Sequence, residues 1–221
     1  MNTTRSLFTS LRYVVAALLL ASALQGCAPV IMGSALVGSL VAVDRRTSGA
    51  QLEDEGIELR SALRIREQLG DRVHVNVTSY NRQVLITGEV PNAKDKQLVE
   101  LLVSRVENVK TTVNELAIAG NTTFSQRSSD ALASGRVKAG LVDARDLYAS
   151  AFKVVTERGV TFLMGRVTQR EADRATEIAR STTGVVKVVR LFEIITEEEL
   201  RNLLPKPTST PAAAAPAAAN N

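Results

Sequence analysis

The chain has 221 residues, of which 27 are Lys or Arg and 23 are Asp or Glu, so its formal net charge at pH 7 is +4. It contains one cysteine, one histidine and no tryptophan. This composition excludes an internal disulfide and a zinc site of the Cys/His type, and it leaves aliphatic side chains to form the core of one or two domains.

The N-terminus has the order of a bacterial secretory signal. Two arginines precede an apolar stretch over residues 13–23, and Leu24-Gln25-Gly26-Cys27 follows. Positive, then apolar, then small residues is the order of a signal peptide. The last four residues resemble the lipobox of bacterial lipoproteins, whose cysteine is alkylated with diacylglycerol before cleavage. The resemblance implies a signal peptide over residues 1–26, a diacylglycerol and an N-acyl lipid on Cys27, and a lipidated tether over residues 27–50.

Two other interpretations of this cysteine compete with the lipobox, a buried structural cysteine and a transmembrane helix. The helix is disfavoured because Gln25 and the glycines interrupt a run that needs about 20 apolar residues. In the sorting rule of bacterial lipoproteins, an aspartate directly after the cysteine retains the protein in the inner membrane, and this chain has Ala28. The expected location is therefore the periplasmic face of the outer membrane of a Gram-negative bacterium.

The rest of the chain contains an internal repeat. A polar turn followed by an apolar strand with a closing Gly-x-Val occurs at residues 81–90 and again at residues 157–167. In each copy a strand precedes this one, and a helical pattern and a last strand follow it. An opening helix is predicted before each hairpin, so the order α-β-β-α-β occurs twice. The predicted opening helices are residues 51–69, with Leu52, Leu59 and Leu63 on one face, and residues 129–142, with Leu132, Val137 and Leu141 on one face.

The doubled unit, with V-x-I-x-G-x-V in its first hairpin, resembles the BON domain family. The segments that carry the resemblance are 33–44, 76–80, 91–93, 113–115, 160–167 and 170–172. It implies an α+β fold of two tandem BON domains, each with a three-stranded mixed sheet covered by two helices on one face. The predicted boundaries are 51–118 for the first domain, 119–127 for a linker, 128–195 for the second domain and 196–221 for a disordered Pro/Ala-rich tail.

The sequence predicts no enzyme. His74 lies on an alternating strand whose valines are expected to face the core, so His74 and Asn76 are expected to face solvent. The sequence has no recognisable catalytic triad, Gly-rich phosphate loop or metal-ligand motif. Apart from the lipid on Cys27, no cofactor and no metal is expected.

The two repeats differ in charge. Residues 51–118 carry 9 basic and 11 acidic side chains, whereas residues 125–195 carry 12 and 8. A basic domain beside a membrane is attracted to anionic headgroups, and the expected periplasmic location disfavours nucleic acid as a partner. The family resemblance implies that the opening helix of the second domain contacts anionic phospholipid, especially phosphatidylglycerol. The candidate contacts are Leu132, Arg136, Lys138 and Val142.

Other interpretations of this helix and of the chain remain open. The helix is alternatively an ordinary amphipathic one, with leucines in the core and cations in water. At the position of Leu132 the family pattern has an interfacial Trp, which this chain lacks. The resemblance also implies a role in outer-membrane integrity at the division site, with links to the outer-membrane assembly machinery and to regulators of peptidoglycan amidases. The alternative function is that of an interaction protein, binding a periplasmic protein or peptidoglycan through the acidic domain or the tail.

Overall fold

The computed structural model of this protein describes residues 44–203. Cys27, the predicted signal peptide, most of the predicted tether and residues 204–221 of the predicted tail lie outside the described residues. Among the helices within residues 44–203, none combines the length and the apolar character needed to cross a membrane.

The first repeat has a helix before a hairpin and a helix after it. Its elements are α1 (Ser48–Leu69), β1 (His74–Tyr80), β2 (Gln83–Val90), α2 (Ala93–Ser104), β3 (Thr111–Asn114) and β4 (Ala117–Ile118). Strands β1 and β2 are antiparallel, and β3 and β4 both pair parallel with β2. The last strand is interrupted at Glu115 and Leu116, where Asn114 Oδ1 accepts a hydrogen bond from Leu116 N and the Leu116 side chain is buried.

The second repeat has the same order. Its elements are α3 (Phe124–Asp143), β5 (Phe152–Glu157), β6 (Val160–Val167), α4 (Gln169–Ser181) and β7 (Lys187–Ile194), and a short helix α5 (Glu197–Leu203) follows. Strand β6 pairs antiparallel with β5 and parallel with β7. The α+β fold of two tandem units with mixed sheets is thereby confirmed.

Three element boundaries differ from the sequence-based ones. Helix α3 begins inside the predicted linker because Thr123 caps it, accepting a hydrogen bond from Gln126 N. Helix α1 begins at Ser48, within the predicted tether, and Thr47 caps it in the same way. Helix α5 lies within the predicted tail, where Leu200 is buried.

Each repeat has its own aliphatic core between its sheet and its two helices. In the first repeat this core includes Ile57, Ile65, Val84, Ile86, Val99 and Val103. In the second repeat it includes Val137, Leu141, Val154, Leu163, Ala175 and Ala179. The repeated glycine near the end of β2 and β6 permits close approach of the backbone. A Cβ on Gly88 would collide with the carbonyl oxygen of His74 in β1, and a Cβ on Gly165 with that of Ala151, just before β5.

Helix α1 carries Leu52, Leu59 and Leu63 on one face, as the sequence predicts, but this is not the face that the helix buries. Leu52, Leu59 and Leu63 are exposed, and the helix instead buries Asp54 together with its isoleucines. The carboxylate of Asp54 accepts hydrogen bonds from Ser79 Oγ and from the backbone N–H groups of the β1–β2 turn. The face that carries Asp54 must therefore turn toward the hairpin, and the leucine face turns to solvent.

The helix-free faces of the two sheets pack against each other within one compact unit. This shared core contains Tyr80 and Leu85 from the first repeat and Phe162 and Met164 from the second. The layers are therefore helices, sheet, sheet and helices. Tyr80 Oη donates to Ala151 O at 3.4 Å across this boundary.

Candidate functional site

Helix α3 is held to the second repeat by a buried carboxylate and an aliphatic stripe. Ala133, Val137 and Leu141 are almost fully buried on its inner face. Asp130 on the same face accepts hydrogen bonds from the backbone N–H groups of Arg158 and Gly159, both at 2.9 Å. This contact fixes which side of α3 faces outward.

The outward side of α3 carries three exposed apolar side chains. Phe124, Leu132 and Val142 are 84%, 60% and 69% exposed. Gly135 lies between Leu132 and Val142 on the same side, where a Cβ would meet no atom within 4 Å. Positions 124, 135 and 142 lie on nearly one line along the helix, and Leu132 lies about 80° around the axis from that line, because successive residues are about 100° apart. The structure thus places Leu132 and Val142 of the predicted set on one open apolar strip.

Phe124 is an apolar side chain of this strip that sequence reasoning missed. The sequence-based boundaries put it in the linker, because the predicted helix begins at residue 129. The signal that could have found it is Thr123 followed three residues later by Gln126, which is the pattern of a helix N-terminus. Phe124 supplies an aromatic ring eight residues before Leu132, the position at which the family pattern has an interfacial Trp.

The two predicted cations lie on opposite flanks of the apolar strip. Arg136 is exposed, and its Nη1 donates to Thr183 O at 3.3 Å. Lys138 is exposed on the other flank, where it lines a cleft of about 640 Å³ between the two repeats. Arg127 lines the same cleft. An open apolar strip between cations is the arrangement of a helix that lies on an anionic membrane surface.

The cleft leads to a cluster of titratable side chains between the repeats. His74 Nδ1 lies 2.9 Å from Glu89 Oε2, and Glu157 of the second repeat lies beside both. The side chain of His74 is only 21% exposed and that of Glu89 is fully buried. The expectation that His74 faces solvent is therefore corrected, because the outer face of β1 packs against the second repeat.

Burial raises the pKa of Glu157, and the neighbouring charge of Glu89 raises it further. Asn76 Nδ2 acts in the opposite direction, because it donates to Glu157 Oε2 at 3.1 Å and so lowers that pKa. Asn76 is exposed, as expected, and it also reaches across to the second repeat. The net effect is a pKa of Glu157 above its ordinary value.

An ion pair joins the N-terminal end of the described chain to the second repeat. Arg45 binds Glu171 through two hydrogen bonds of 2.7 and 2.8 Å, and Arg45 Nη1 also donates to Arg166 O. Both side chains are 1% exposed. Burial by itself raises the pKa of Glu171, but the hydrogen bonds from Arg45 and Thr168 N outweigh it, so this pKa is lowered. Sequence reasoning missed this contact because its partners are 126 residues apart.

Comparison with known proteins assigns a family to both repeats. Residues 59–120 and 129–196 match the family model described as BON domain. The chain is 38% identical over 175 residues to "Outer membrane lipoprotein DolP" of Haemophilus influenzae, which covers 78% of this chain and 90% of that protein. It is 32% identical over 155 residues to "21 kDa hemolysin" of Actinobacillus pleuropneumoniae, which covers 69% of this chain and 80% of that protein.

The similarity to solved structures is weaker. CdsD, a structural protein of the type III secretion system of Chlamydia trachomatis, covers 69% of this chain and 96% of its own chain at 14% identity, with a TM-score of 0.28. That score is too low to support an argument about this chain. The two matches to the family model fall on the two structural repeats, and each begins inside the opening helix of its repeat.

Proposed function

Because this chain belongs to the BON domain family and is similar over most of its length to an outer membrane lipoprotein, we propose that it is a lipid-anchored protein of the periplasmic face of the outer membrane. Its second BON domain binds anionic phospholipid, with phosphatidylglycerol as the expected headgroup. It maintains outer-membrane integrity without a catalytic step. Diacylglycerol and an N-acyl chain on Cys27 are the proposed anchor.

One observation carries the proposal, the open apolar strip of α3 with a cation on each flank. Phe124, Leu132 and Val142 are available for contact with the acyl boundary, and Arg136 and Lys138 for contact with headgroups. A cation near an anionic surface contributes roughly 1 kcal/mol, so the pair is expected to contribute about 2 kcal/mol, or about 30-fold in partitioning.

The proposed lipid anchor keeps the α3 surface close to the membrane. Eighteen positions separate Cys27 from Arg45, where the described chain is pinned to the second repeat. Even a fully extended segment of that length spans no more than about 65 Å. The α3 surface therefore stays within reach of the membrane that holds Cys27, and modest intrinsic affinity is sufficient for binding.

The test is co-sedimentation of the chain from Ala28 to Asn221 with vesicles. Binding is expected to vesicles that contain phosphatidylglycerol and to weaken as salt rises, since charge attraction is screened. The double variant Arg136→Glu plus Lys138→Glu is expected to lose binding by about 30-fold or more. Phe124→Ser is expected to weaken binding without removing its salt dependence.

A matched control is the double variant Arg64→Glu plus Arg66→Glu on α1. It makes the same change in net charge on the opening helix of the first repeat, and it is expected to bind nearly as the parent does. Equal binding to neutral phosphatidylcholine vesicles contradicts the proposal. So does an equal loss of binding in both double variants.

The first repeat supports a second candidate function, association between two copies of this chain. Leu52, Leu59 and Leu63 are 70%, 63% and 51% exposed on one face of α1, with Gly56 between them. This spacing forms a seam of coiled-coil type. In an antiparallel pair of α1 helices, Leu52 meets Leu63 of the other copy and Leu59 meets Gly56.

Charge favours a second copy as the occupant of this face. Within one chain, Arg60 Nη2 donates to Glu53 Oε1 at 2.6 Å beside the seam. In the antiparallel pair, Glu53 of each copy lies beside Arg60 of the other, so opposite charges face each other twice.

Sedimentation velocity over a concentration series tests this association. Leu59→Glu is expected to abolish the dimer. The control variant Val186→Glu, which changes an exposed residue of the second repeat, is expected to retain it. A parent chain that is monomeric throughout the series contradicts this second function.

A further inference from the structure

Three side chains of the kinds that bind transition metals meet between the repeats. His74 comes from β1, Glu89 from β2 and Glu157 from the end of β5. One potential ligand atom from each of them lies within 4.8 Å of the others. Sequence patterns do not indicate this cluster, because no metal-ligand spacing joins positions that belong to different repeats.

One carboxylate oxygen of the cluster is buried without a hydrogen-bond partner in the described part of the chain, although Arg158 lies close to it and Arg127 and Lys138 line the same cleft. Glu89 is fully buried, and its Oε1 has no hydrogen-bond partner among residues 44–203. The nearest fixed cation is the half-exposed guanidinium of Arg158, whose Nη1 lies 3.7 Å from that oxygen. Glu157 and the buried Asp130 add two further carboxylates. A buried carboxylate oxygen without a partner is costly, so the cluster favours an additional cation.

The neighbouring contacts leave one oxygen of each carboxylate open. Thr122 donates to Glu89 Oε2, so Oε1 remains available. Asn76 donates to Glu157 Oε2 and orients that carboxylate, as second-sphere groups do around metal ligands. His74 and Glu157 line the cleft of about 640 Å³, which supplies an entry path and room for a water ligand.

From this geometry we propose that His74, Glu89 and Glu157 form a site for a divalent transition metal, with Zn²⁺ as the best fit. One imidazole nitrogen and two carboxylate oxygens with an open fourth position suit Zn²⁺, at ligand distances of about 2.0–2.2 Å. Binding through Nδ1 of His74 requires the tautomer with its proton on Nε2, and the metal ion then takes the place of the 2.9 Å contact between Nδ1 and Glu89 Oε2. Because the ligands come from both BON domains, the ion fixes one domain against the other.

Arg158 competes with a metal ion for the carboxylate of Glu89, and substituting it tests the proposal. Arg158 lies against Glu89 without being a ligand, so its removal is expected to tighten metal binding. Arg158→Asn makes this change while keeping a residue type that tolerates the left-handed backbone at this position, where φ is 51°. A purely structural ion-pair network predicts no gain in metal affinity from this variant.

The experiment is Zn²⁺ titration by calorimetry on the chain from Ala28 to Asn221, which keeps both repeats and lacks the Cys27 thiol. One ion per chain is expected, together with a higher melting temperature in Zn²⁺ than in chelator. His74→Ala and Glu157→Gln are each expected to weaken binding at least 10-fold, and Arg158→Asn is expected to strengthen it. Mg²⁺ is expected to bind far more weakly.

Two results overturn the proposal. The first is the absence of stoichiometric Zn²⁺ binding by the parent chain. The second is Zn²⁺ affinity that stays unchanged in both His74→Ala and Glu157→Gln, which would assign the binding to other groups. Neither result bears on vesicle binding through α3, so the site and the proposed function fail separately.

Discussion

At the scale of single residues, the two repeats keep the groups that shape the fold and change the groups that face each other. Asp54 and Asp130 occupy equivalent helix positions, and each accepts hydrogen bonds from the turn of its own hairpin. By contrast, Glu89 of the first Gly-x-Val corresponds to Arg166 of the second. Glu89 binds His74, whereas Arg166 binds Glu193. The local fold thus needs the repeated aspartate, while the residue after the glycine is free to specialise.

The raised pKa of Glu157 predicts a pH-dependent effect of Glu157→Gln. The pKa of Glu157 is higher in the folded protein than in the unfolded chain. The contribution of the protonated group to stability is therefore fully present at pH values below the unfolded-state pKa, and it is lost as the pH rises through the folded-state pKa. In chelator, the variant is expected to be more stable than the parent at pH 7. The difference is expected to disappear below about pH 4, where the parent is protonated.

Urea unfolding at a series of pH values measures this difference. Glu177→Gln on the exposed side of α4 is the control, and its effect is expected to be small at every pH. A parent chain that is more stable than Glu157→Gln at pH 7 in chelator would show that the ionised carboxylate stabilises the fold.

At the scale of elements, the same helix position serves different surfaces in the two repeats. Both α1 and α3 bury an aspartate and an aliphatic stripe. The outward side of α1 is a leucine face with Glu53 and Arg60 beside it, whereas that of α3 is an apolar strip between cations. The fold fixes which side of the helix is outward, and the residues on that side decide what the repeat contacts.

The two glycines of α3 are expected to respond differently to substitution by alanine. Gly135 is exposed, and no atom lies within 4 Å of the position that an added methyl group would take. Gly135→Ala is therefore expected to raise the free energy of unfolding by about 1 kcal/mol through helix propensity. A Cβ on Gly140 would lie 2.8 Å from Ile178 Cγ2, so this gain is expected to be offset by crowding of α4.

Thermal and urea unfolding compare the free energies of unfolding of Gly135→Ala and Gly140→Ala. Each variant serves as the control for the other. Equal stabilisation by both substitutions would show that α4 yields to the added methyl group. Equal destabilisation would contradict the open environment of Gly135.

At the scale of the whole molecule, the shared core and the Arg45 ion pair make the two repeats one folding unit. Tyr80 and Leu85 pack against Phe162 and Met164 between the sheets. Arg45 reaches past its own repeat to Glu171, so the segment that leads to the proposed lipidation site is fixed to the second domain. Repeats of about 70 residues have small cores, and packing them together adds the buried area that each lacks.

Phe162→Ala is expected to lower the free energy of unfolding by about 3–5 kcal/mol, because this nearly fully buried ring fills the space between the sheets. Unfolding is expected to remain a single transition. Amide hydrogen exchange is expected to accelerate in both repeats, since each loses part of a shared core. Two separate transitions, or faster exchange in the second repeat alone, would contradict a common folding unit.

Much of the fold could be predicted from the sequence, and less of the candidate site. The repeated hairpins, their mixed sheets and the α+β class follow from local alternation and from the glycines at 88 and 165. The leucines of α1 share one face as predicted, but their spacing does not show which face is buried, because Asp54 determines the orientation through contacts with a distant turn. On α3 the sequence indicated Leu132, Arg136, Lys138 and Val142, yet Phe124 was missed because the predicted helix begins five residues too late.

By itself, the sequence determined the two repeats, the strand order within each and the charge difference between them, because these depend on residues close together along the chain. Only the tertiary structure decided that the helix-free faces of the sheets pack together. It also decided that Arg45 reaches Glu171, and that His74, Glu89 and Glu157 share one cluster. These contacts join positions up to 126 residues apart. No local pattern specifies them, because they depend on how two already folded surfaces match in shape and charge.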